Sequence, residues 1–451
     1  MHIPPVSDAL LSRYDRPGPR YTSYPPVPAW RDDFGHADLS AALGRAAMRP
    51  DDPLSLYVHV PFCTHLCAYC GCNVVVSRGF NRADPYLDDL DLEIDRVAEG
   101  LGERRTAHQI HWGGGTPTFL DVPRLERLWA SLTRRFTLAP DAEVSIEINP
   151  VTTTLDQLKA LRRLGFNRLS LGVQDLDPAV QTAIDRHQTE AQTIGALEAA
   201  RGLGFESVNF DLIYGLPGQS TRSWARTLER VVQLAPDRLA IYSFAWVPQA
   251  RPNQRRIDPA ALPAGRAKVD LFRQAFGALT HAGYVPLGLD HFARADDALA
   301  VAATEGRLWR NFQGYTVHRA TDTVAFGVTG ISDVGGAYAQ NTRTLPGYRA
   351  ALQAERLPVV RGLRLSADDQ ARRALITELM CNLRIGLDDL RRQRFASALE
   401  ALTPLAEDGL LTLHPDRLEV TPVGRLFLRN IAFAFDASHD EETTAGYSRT
   451  V

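Results

Sequence analysis

No run of apolar residues in this 451-residue chain approaches the ~20 that cross a bilayer as a helix, so no membrane partner is expected. The first residues, MHIPPVSDAL, lack a charged stretch leading into an apolar one, and no secretory signal is read there. Neither sign of charge dominates. Fifty Lys and Arg against 53 Asp and Glu leave −3, without the basic field that draws nucleic acid. Cysteine is scarce, five residues in all, and no second Cys-x-x-Cys pair completes a zinc pattern. These absences point to the cytoplasm, where thiols stay reduced and available as ligands. A hydrophobic content of 45% supplies a sizeable core, and the length suits one large α/β domain with appendages.

The few cysteines are concentrated. Cys63, Cys67 and Cys70 are spaced Cys-x-x-x-Cys-x-x-Cys, and Cys72 follows. The alternating run Leu54–Val60 reads as a strand that Pro61 stops, which sets the thiols on a loop at its C-terminal end. Three thiolates on one loop can hold three irons of a 4Fe–4S cluster and leave the fourth open to a small molecule. Electron-transfer clusters normally take four cysteines, so an open iron suggests chemistry. Zinc completed by His59 or His65 is the alternative. Inert buried cysteines are the commoner case in general, but four in ten residues on a loop is poor core patterning.

Residues 1–52 open with a Pro-rich arm, RPGPRYTSYPPVP, and a short helix over Asp38–Met48. By default such an arm is a frayed terminus. Strands are then predicted at Leu54–Val60, His108–Trp112, Val144–Ile148, Arg168–Val173, Ser207–Ile213 and Arg238–Phe244. Helices begin near Asp84, Val122, Leu155, Pro178 and Thr221. Repeated strand–helix units make a parallel sheet, here two units short of an eight-fold barrel, with ligands at the C-terminal strand ends. The candidates lie there. HWGGGTPT could offer backbone amides to a ligand, or be only a tight turn. Glu147 ends the third strand and could accept from an ammonium or ribose, or be a solvated charge. Gln174 ends the fourth, Asp211 lies in the fifth and Ala245 follows the sixth. Arg186 could meet a carboxylate bidentately, although a surface role is commoner.

After Pro248 a long helix is predicted from about Leu262 to Ala282, then Tyr284–Phe292, an exposed segment through Thr316, and an apolar run Thr323–Ile331. The Gly-rich GVTGIS is expected close to a ligand. Residues 53–362 thus form the barrel with its extension. Residues 363–436 read as a helical, winged-helix-like piece, with amphipathic helices over Asp368–Arg384 and Leu387–Leu402 and a hairpin within LLTLHPDRLEVTPVGRLFLRN. Residues 437–451 read as a flexible tail.

Tyr57 to Cys72, with GGGTPT at Gly113 to Thr118, resembles the radical S-adenosylmethionine superfamily. RYTSYP at Arg20 to Pro25, the Cys-x-Cys ending at Cys72, DLIYGLPGQ, DHFAR and RNFQGYT are similar to the oxygen-independent coproporphyrinogen III oxidase family. The resemblance implies an α/β fold, a partial open (β/α)6 barrel with N-terminal arm and C-terminal winged-helix-like domain. It implies a 4Fe–4S cluster on Cys63, Cys67 and Cys70. It further implies two S-adenosylmethionine molecules at Tyr57, Gly114, Gly115, Thr116, Glu147, Gln174, Arg186, Asp211, Ala245 and Ile331, with Tyr69 packed against the adenosine region. An N-terminal segment closing over the site makes Arg20, Tyr21 and Tyr24 candidate substrate or lid residues, with Cys72 near the cluster. The implied activity is decarboxylation of two propionates of coproporphyrinogen III to vinyl groups. The implied partners are an electron donor such as flavodoxin or ferredoxin, and the chain a monomer. A haem chaperone and a haem-opening radical methyltransferase are the rival readings. Trp309, His318, Arg319 and Asp333 depart from the family pattern.

Overall fold

Alternation along six parallel strands sorts the molecule into an apolar outer layer and a polar interior. The strands are β1 (Leu54–Val60), β2 (Thr106–Gly114), β3 (Thr137–Ile148), β4 (Arg168–Gln174), β5 (Ser207–Tyr214) and β6 (Arg238–Ser243). Leu54, Leu56, Val58 and Val60 are buried against helices. The intervening Ser55, Tyr57 and His59 face the other way, as do Gln109 and His111 on β2 and Ser145 and Glu147 on β3. The inward residues bond across neighbouring strands: Ser55 to Gln109 at 2.8 Å, His111 to Ser145 at 2.6 Å and Ser170 to Asp211 at 2.9 Å. The structure, a computed structural model, describes residues 2–319, 322–438 and 447–450.

The β/α units follow the expected order. Helices Ala83–Gly100, Val122–Thr133, Leu155–Leu164, Pro178–Ala183 with Glu190–Gly202, and Thr221–Leu234 return the chain between strands. Asp121, Thr154, Asp177, Thr189 and Ser220 cap all but the first of them by accepting first-turn amides. The sheet does not end with the barrel. Asp322–Phe326 adds a seventh parallel strand beside β1, and three antiparallel strands continue to Val359–Arg364. Beyond β6, His291–Arg294 and Tyr284–Leu287 pair antiparallel, giving twelve strands in one open sheet.

Several expectations need correction. The apolar run Thr323–Ile331 is a strand, a turn and the start of the next strand, because Gly327 and Thr329 take positive φ of 93° and 59°. Gly327 approaches protein, not a ligand: a Cβ there would meet Tyr86 Oη and the His59 carbonyl. The helix expected over Leu387–Leu402 breaks at Phe395, which leaves helical geometry (φ −109°, ψ 24°) and is buried. The arm is not frayed. Ser7 caps a helix over Asp8–Tyr14, and Asp408 accepts from Tyr14 Oη and Arg13 Nη1, both at 2.6 Å. Part of the tail expected to be flexible is bonded: Arg449 bridges Pro17, and the Thr450 amide donates to Arg16. Residues 439–446 lie outside the described residues.

Candidate active site

Strand β1 delivers the chain to Pro61, and the loop carrying Cys63, Cys67, Cys70 and Cys72 crosses the C-terminal end of the barrel. A cavity of about 940 Å³ opens beneath it, lined by all four of these cysteines. Tyr69, Gly114, Gly115, Thr116, Glu147, Gln174, Arg186 and Asp211 also line it. Residues as far apart in sequence as Cys63 and Tyr242 therefore meet on one surface. Tyr57, Ala245 and Ile331 are not among the lining residues. Tyr57 sits one layer deeper, stacked on His111 with centroids 5.9 Å apart. The Ala245 carbonyl accepts from Gln254 at 3.1 Å, and Ile331 packs with the Trp30–Tyr338 cluster.

The GGGTPT turn acts from below. Its amides are spent on protein: Gly114 on Glu147 at 3.1 Å, Gly115 on the Val60 carbonyl at 2.8 Å and Thr116 on Phe62 at 2.9 Å. In this structure the three amides thus serve the turn, while Gly114, Gly115 and Thr116 still line the cavity. The glycines are needed because a Cβ on Gly115 would strike the Pro61 and Phe62 carbonyls, and one on Gly114 the His59 ring. Thr116 Oγ1 lies 3.3 Å from Cys63 Sγ, so the turn also touches the first thiol.

Sequence reading missed the turn that holds the loop from behind. Asn253 Nδ2 donates to the carbonyls of Cys67, Ala68 and Cys70, and Gln254 Nε2 to that of Tyr69. Only the polar run RPNQRR after Pro248 marks it in sequence. Arg186 is buried beside the loop, donating to Gly172 and Gln188, 3.4 Å from Tyr69 Oη and 4.0 Å from Cys67 Sγ. Gln174 holds φ 68° at the end of β4, a strained setting for a residue with a side chain.

Two carboxyls face the cavity in different electrostatic states. Burial alone would raise Glu147, but His111 at 3.3 Å and the Gly114 amide outweigh it and hold the carboxyl below its usual range. Burial, then the charge of Glu147, push Asp211 up to about 6 against bonds from Ser170 and Asn209. A cation arriving between them would relieve that repulsion.

The donor set fits a cluster better than a lone ion. His59 and His65 spend Nε2 on the carbonyls of Asn73 and Asp185. Among the described residues no three Cys, His, Asp or Glu side chains converge on a point suited to one metal ion. Thiols spread over a loop above a cavity suit a cofactor whose metals sit at separate corners.

The arm residues divide. Arg20 donates to the Ser243 carbonyl at 2.9 Å, at the rim of the barrel. Tyr21 and Tyr24 turn away from the cavity into the C-terminal domain, where Tyr21 Oη donates to Asp436 and Tyr24 Oη accepts from the Ala437 amide. The departing segment is likewise structural in its contacts. Arg319 lies over the Trp309 ring, and Arg373 of the helix Ala367–Asn382 pairs with Asp333, one bond at 2.9 Å.

A Radical SAM superfamily model matches residues 57–231 and a HemN C-terminal domain model residues 365–427. Barrel, cysteine loop and both matches define a radical S-adenosylmethionine protein. The chain is 43% identical over 441 residues to the oxygen-independent coproporphyrinogen III oxidase of Synechocystis, covering 95% of this chain and 94% of that one. It is 45% identical over 435 residues to that of Escherichia coli K12, with the same coverage. The crystallised coproporphyrinogen III oxidase of E. coli superposes with a TM-score of 0.90 at 43% identity, over 96% of this chain and 99% of that one. The chain belongs to the oxygen-independent coproporphyrinogen III oxidase family.

Proposed function

We propose that the protein converts two propionate side chains of coproporphyrinogen III to vinyl groups without oxygen, giving protoporphyrinogen IX. The observation that carries the reading is the single cavity under the cysteine loop, which gathers three suitably spaced thiols and the acids and arginine that the family resemblance assigns to the cofactor. Near-full-length identity to oxidases favours this reading over a haem chaperone or a methyltransferase.

Cys63, Cys67 and Cys70 would hold a 4Fe–4S cluster, with Cys72 beside it. The bound cluster and S-adenosylmethionine supply a one-electron cleavage and a hydrogen-abstracting carbon radical. The chain's own residues do the rest. Asn253 and Gln254 fix the loop's backbone, and Thr116 braces Cys63. Glu147, ionised, receives the cationic end of S-adenosylmethionine, with Gln174 beside it. Arg186 and Asp211 would serve a second S-adenosylmethionine, with Tyr69 against an adenosine; Tyr57, Ala245 and Ile331 support from the next layer. Arm residues 1–52 close the rim through Arg20, while Tyr21 and Tyr24 anchor that closure, which keeps water from the reacting carbon. We read the protein as a cytoplasmic monomer reduced by a small donor such as flavodoxin or ferredoxin, with no nucleic-acid or membrane partner. No helix among the described residues is long and apolar enough to cross a membrane.

The test is anaerobic incubation of reconstituted protein with coproporphyrinogen III, S-adenosylmethionine and reductant. Vinyl product is expected; a loaded cluster that cleaves S-adenosylmethionine but yields no vinyl group would overturn the substrate assignment.

A further inference from the structure

A second, smaller pocket of about 50 Å³ lies at the same end of the barrel, where the arm, the rim and the C-terminal domain meet. Arg20, Arg425 and Arg429 line it, with Tyr214, Ser243 and Asp290. Lys268 sits alongside, donating to the Phe244 carbonyl at 3.2 Å next to the Ser243 carbonyl that Arg20 holds. The last residues of β5 and β6 form a shared wall: Ile213 and Tyr242 face the large cavity, and their chain neighbours Tyr214 and Ser243 face this pocket.

Among the described residues, cations outnumber carboxylates here. Three arginines line the space with Lys268 beside it, and Arg425 and Arg429 are only 6% and 5% exposed. Their hydrogen bonds go to backbone carbonyls: Arg425 to Gly288, and Arg429 to Pro19, Gly18 and Arg449. The one carboxylate in the wall, Asp290, already holds His291 Nδ1 at 2.7 Å. Asp15, on the arm, is held by Arg449 at 2.6 Å. Uncompensated buried cations are costly, and the cost shows. Burial, then Arg20, push Lys268 down to about 8, and burial lowers Arg425 and Arg429 to about 10. Arg425 and Arg429 spend their donors clamping chain segments. Arg20 and Lys268 each make one hydrogen bond to a carbonyl and keep further N–H groups for another acceptor.

We propose that this pocket binds a carboxylate, with Arg20 and Lys268 as the groups that meet it. The volume exceeds the ~10–15 Å³ of probe-occupied space that one water needs, leaving room for a small group. Two sources share the chemistry: a propionate of the bound porphyrinogen, which rests on the function proposed above, and a free carboxylate anion, which does not.

Lysine composition makes the test direct, because Lys268 and Lys159 are the only lysines in the chain. Reductive ¹³C-methylation of the full-length reconstituted protein gives one resonance for each, and Lys159, half exposed beside Asp156, serves as internal reference. Addition of coproporphyrinogen III is expected to move the Lys268 resonance and leave that of Lys159. A shift with millimolar propionate but none with coproporphyrinogen III, whose binding is measured separately by equilibrium dialysis, assigns the pocket to a free anion. Porphyrinogen failing to bind while propionate shifts Lys268 overturns the function and keeps the pocket. Neither ligand moving Lys268 overturns the pocket. In parallel, Lys268→Met should weaken coproporphyrinogen III binding about tenfold or more at unchanged iron content, with Lys268→Arg restoring most of it. Equal losses in both variants would overturn the charge-based role.

Discussion

Asn253 Nδ2 stands 2.9 Å from the Cys70 carbonyl and 3.1 Å from that of Cys67, so one side-chain amide spans two proposed metal ligands. A net hydrogen bond contributes about 0.5–1.5 kcal/mol, and an abandoned buried carbonyl costs more. Asn253→Ala should therefore leave the fold intact by circular dichroism but lower the iron retained per chain after desalting. Unchanged iron retention would show that the loop keeps its shape without the amide.

Cys70→Ser should lose the cluster, while Cys72→Ser should keep it. Cys72 offers its backbone amide to Cys70 Sγ at 3.4 Å, a contact that survives the substitution. Iron and sulfide analysis of both variants decides the matter; equal losses would refute three-cysteine ligation.

Asp211 links the site to pH. Its folded pKa, about 6, lies above the unfolded carboxyl value of about 3.9, so the fold disfavours its charge. The stability associated with this group is fully present below the unfolded value and is lost as pH rises through 6. In cofactor-free protein, Asp211→Asn should gain up to roughly 2–3 kcal/mol relative to wild type at pH 8 and little at pH 4. Chemical denaturation at the two pH values measures this, and a pH-independent difference would exclude the electrostatic cause. The same variant, like Arg186→Lys, should lower S-adenosylmethionine stoichiometry from the proposed two toward one with iron unchanged.

Tyr24 is 2% exposed within the C-terminal cluster. Tyr24→Ala should cost about 3–5 kcal/mol, and Tyr24→Phe about 1 kcal/mol for the bond to Ala437. Urea unfolding checks both. An alanine variant as stable as wild type would show that the arm only rests on the domain.

The parts of the site that sequence disclosed are those that repeat along the chain. Period-two alternation and terminal Gly or Pro located β1 to β6, strand ends pointed to Glu147 and Gln174, and Asp211 was placed within the fifth strand. Contacts between distant segments stayed hidden. Nothing near Asn253 announces a partner at Cys67, 186 residues away. The glycines of GGGTPT stayed open between a ligand-facing backbone and a tight turn, because sequence cannot say that a Cβ on Gly115 would meet the Pro61 carbonyl. Phe395 broke a helix that periodicity continued, because tertiary burial of its ring outweighed local preference.

The bridge between Pro17 and Arg449 has a consequence for synthesis. A ribosome releases Pro17 before the barrel and Arg449 after it. The Arg449 side of that bridge is made long after the cysteine loop, whereas Ser243, which accepts from Arg20, is made earlier. The arm is thus fastened in stages, with Ser243 available to Arg20 before Arg449 is there for Pro17.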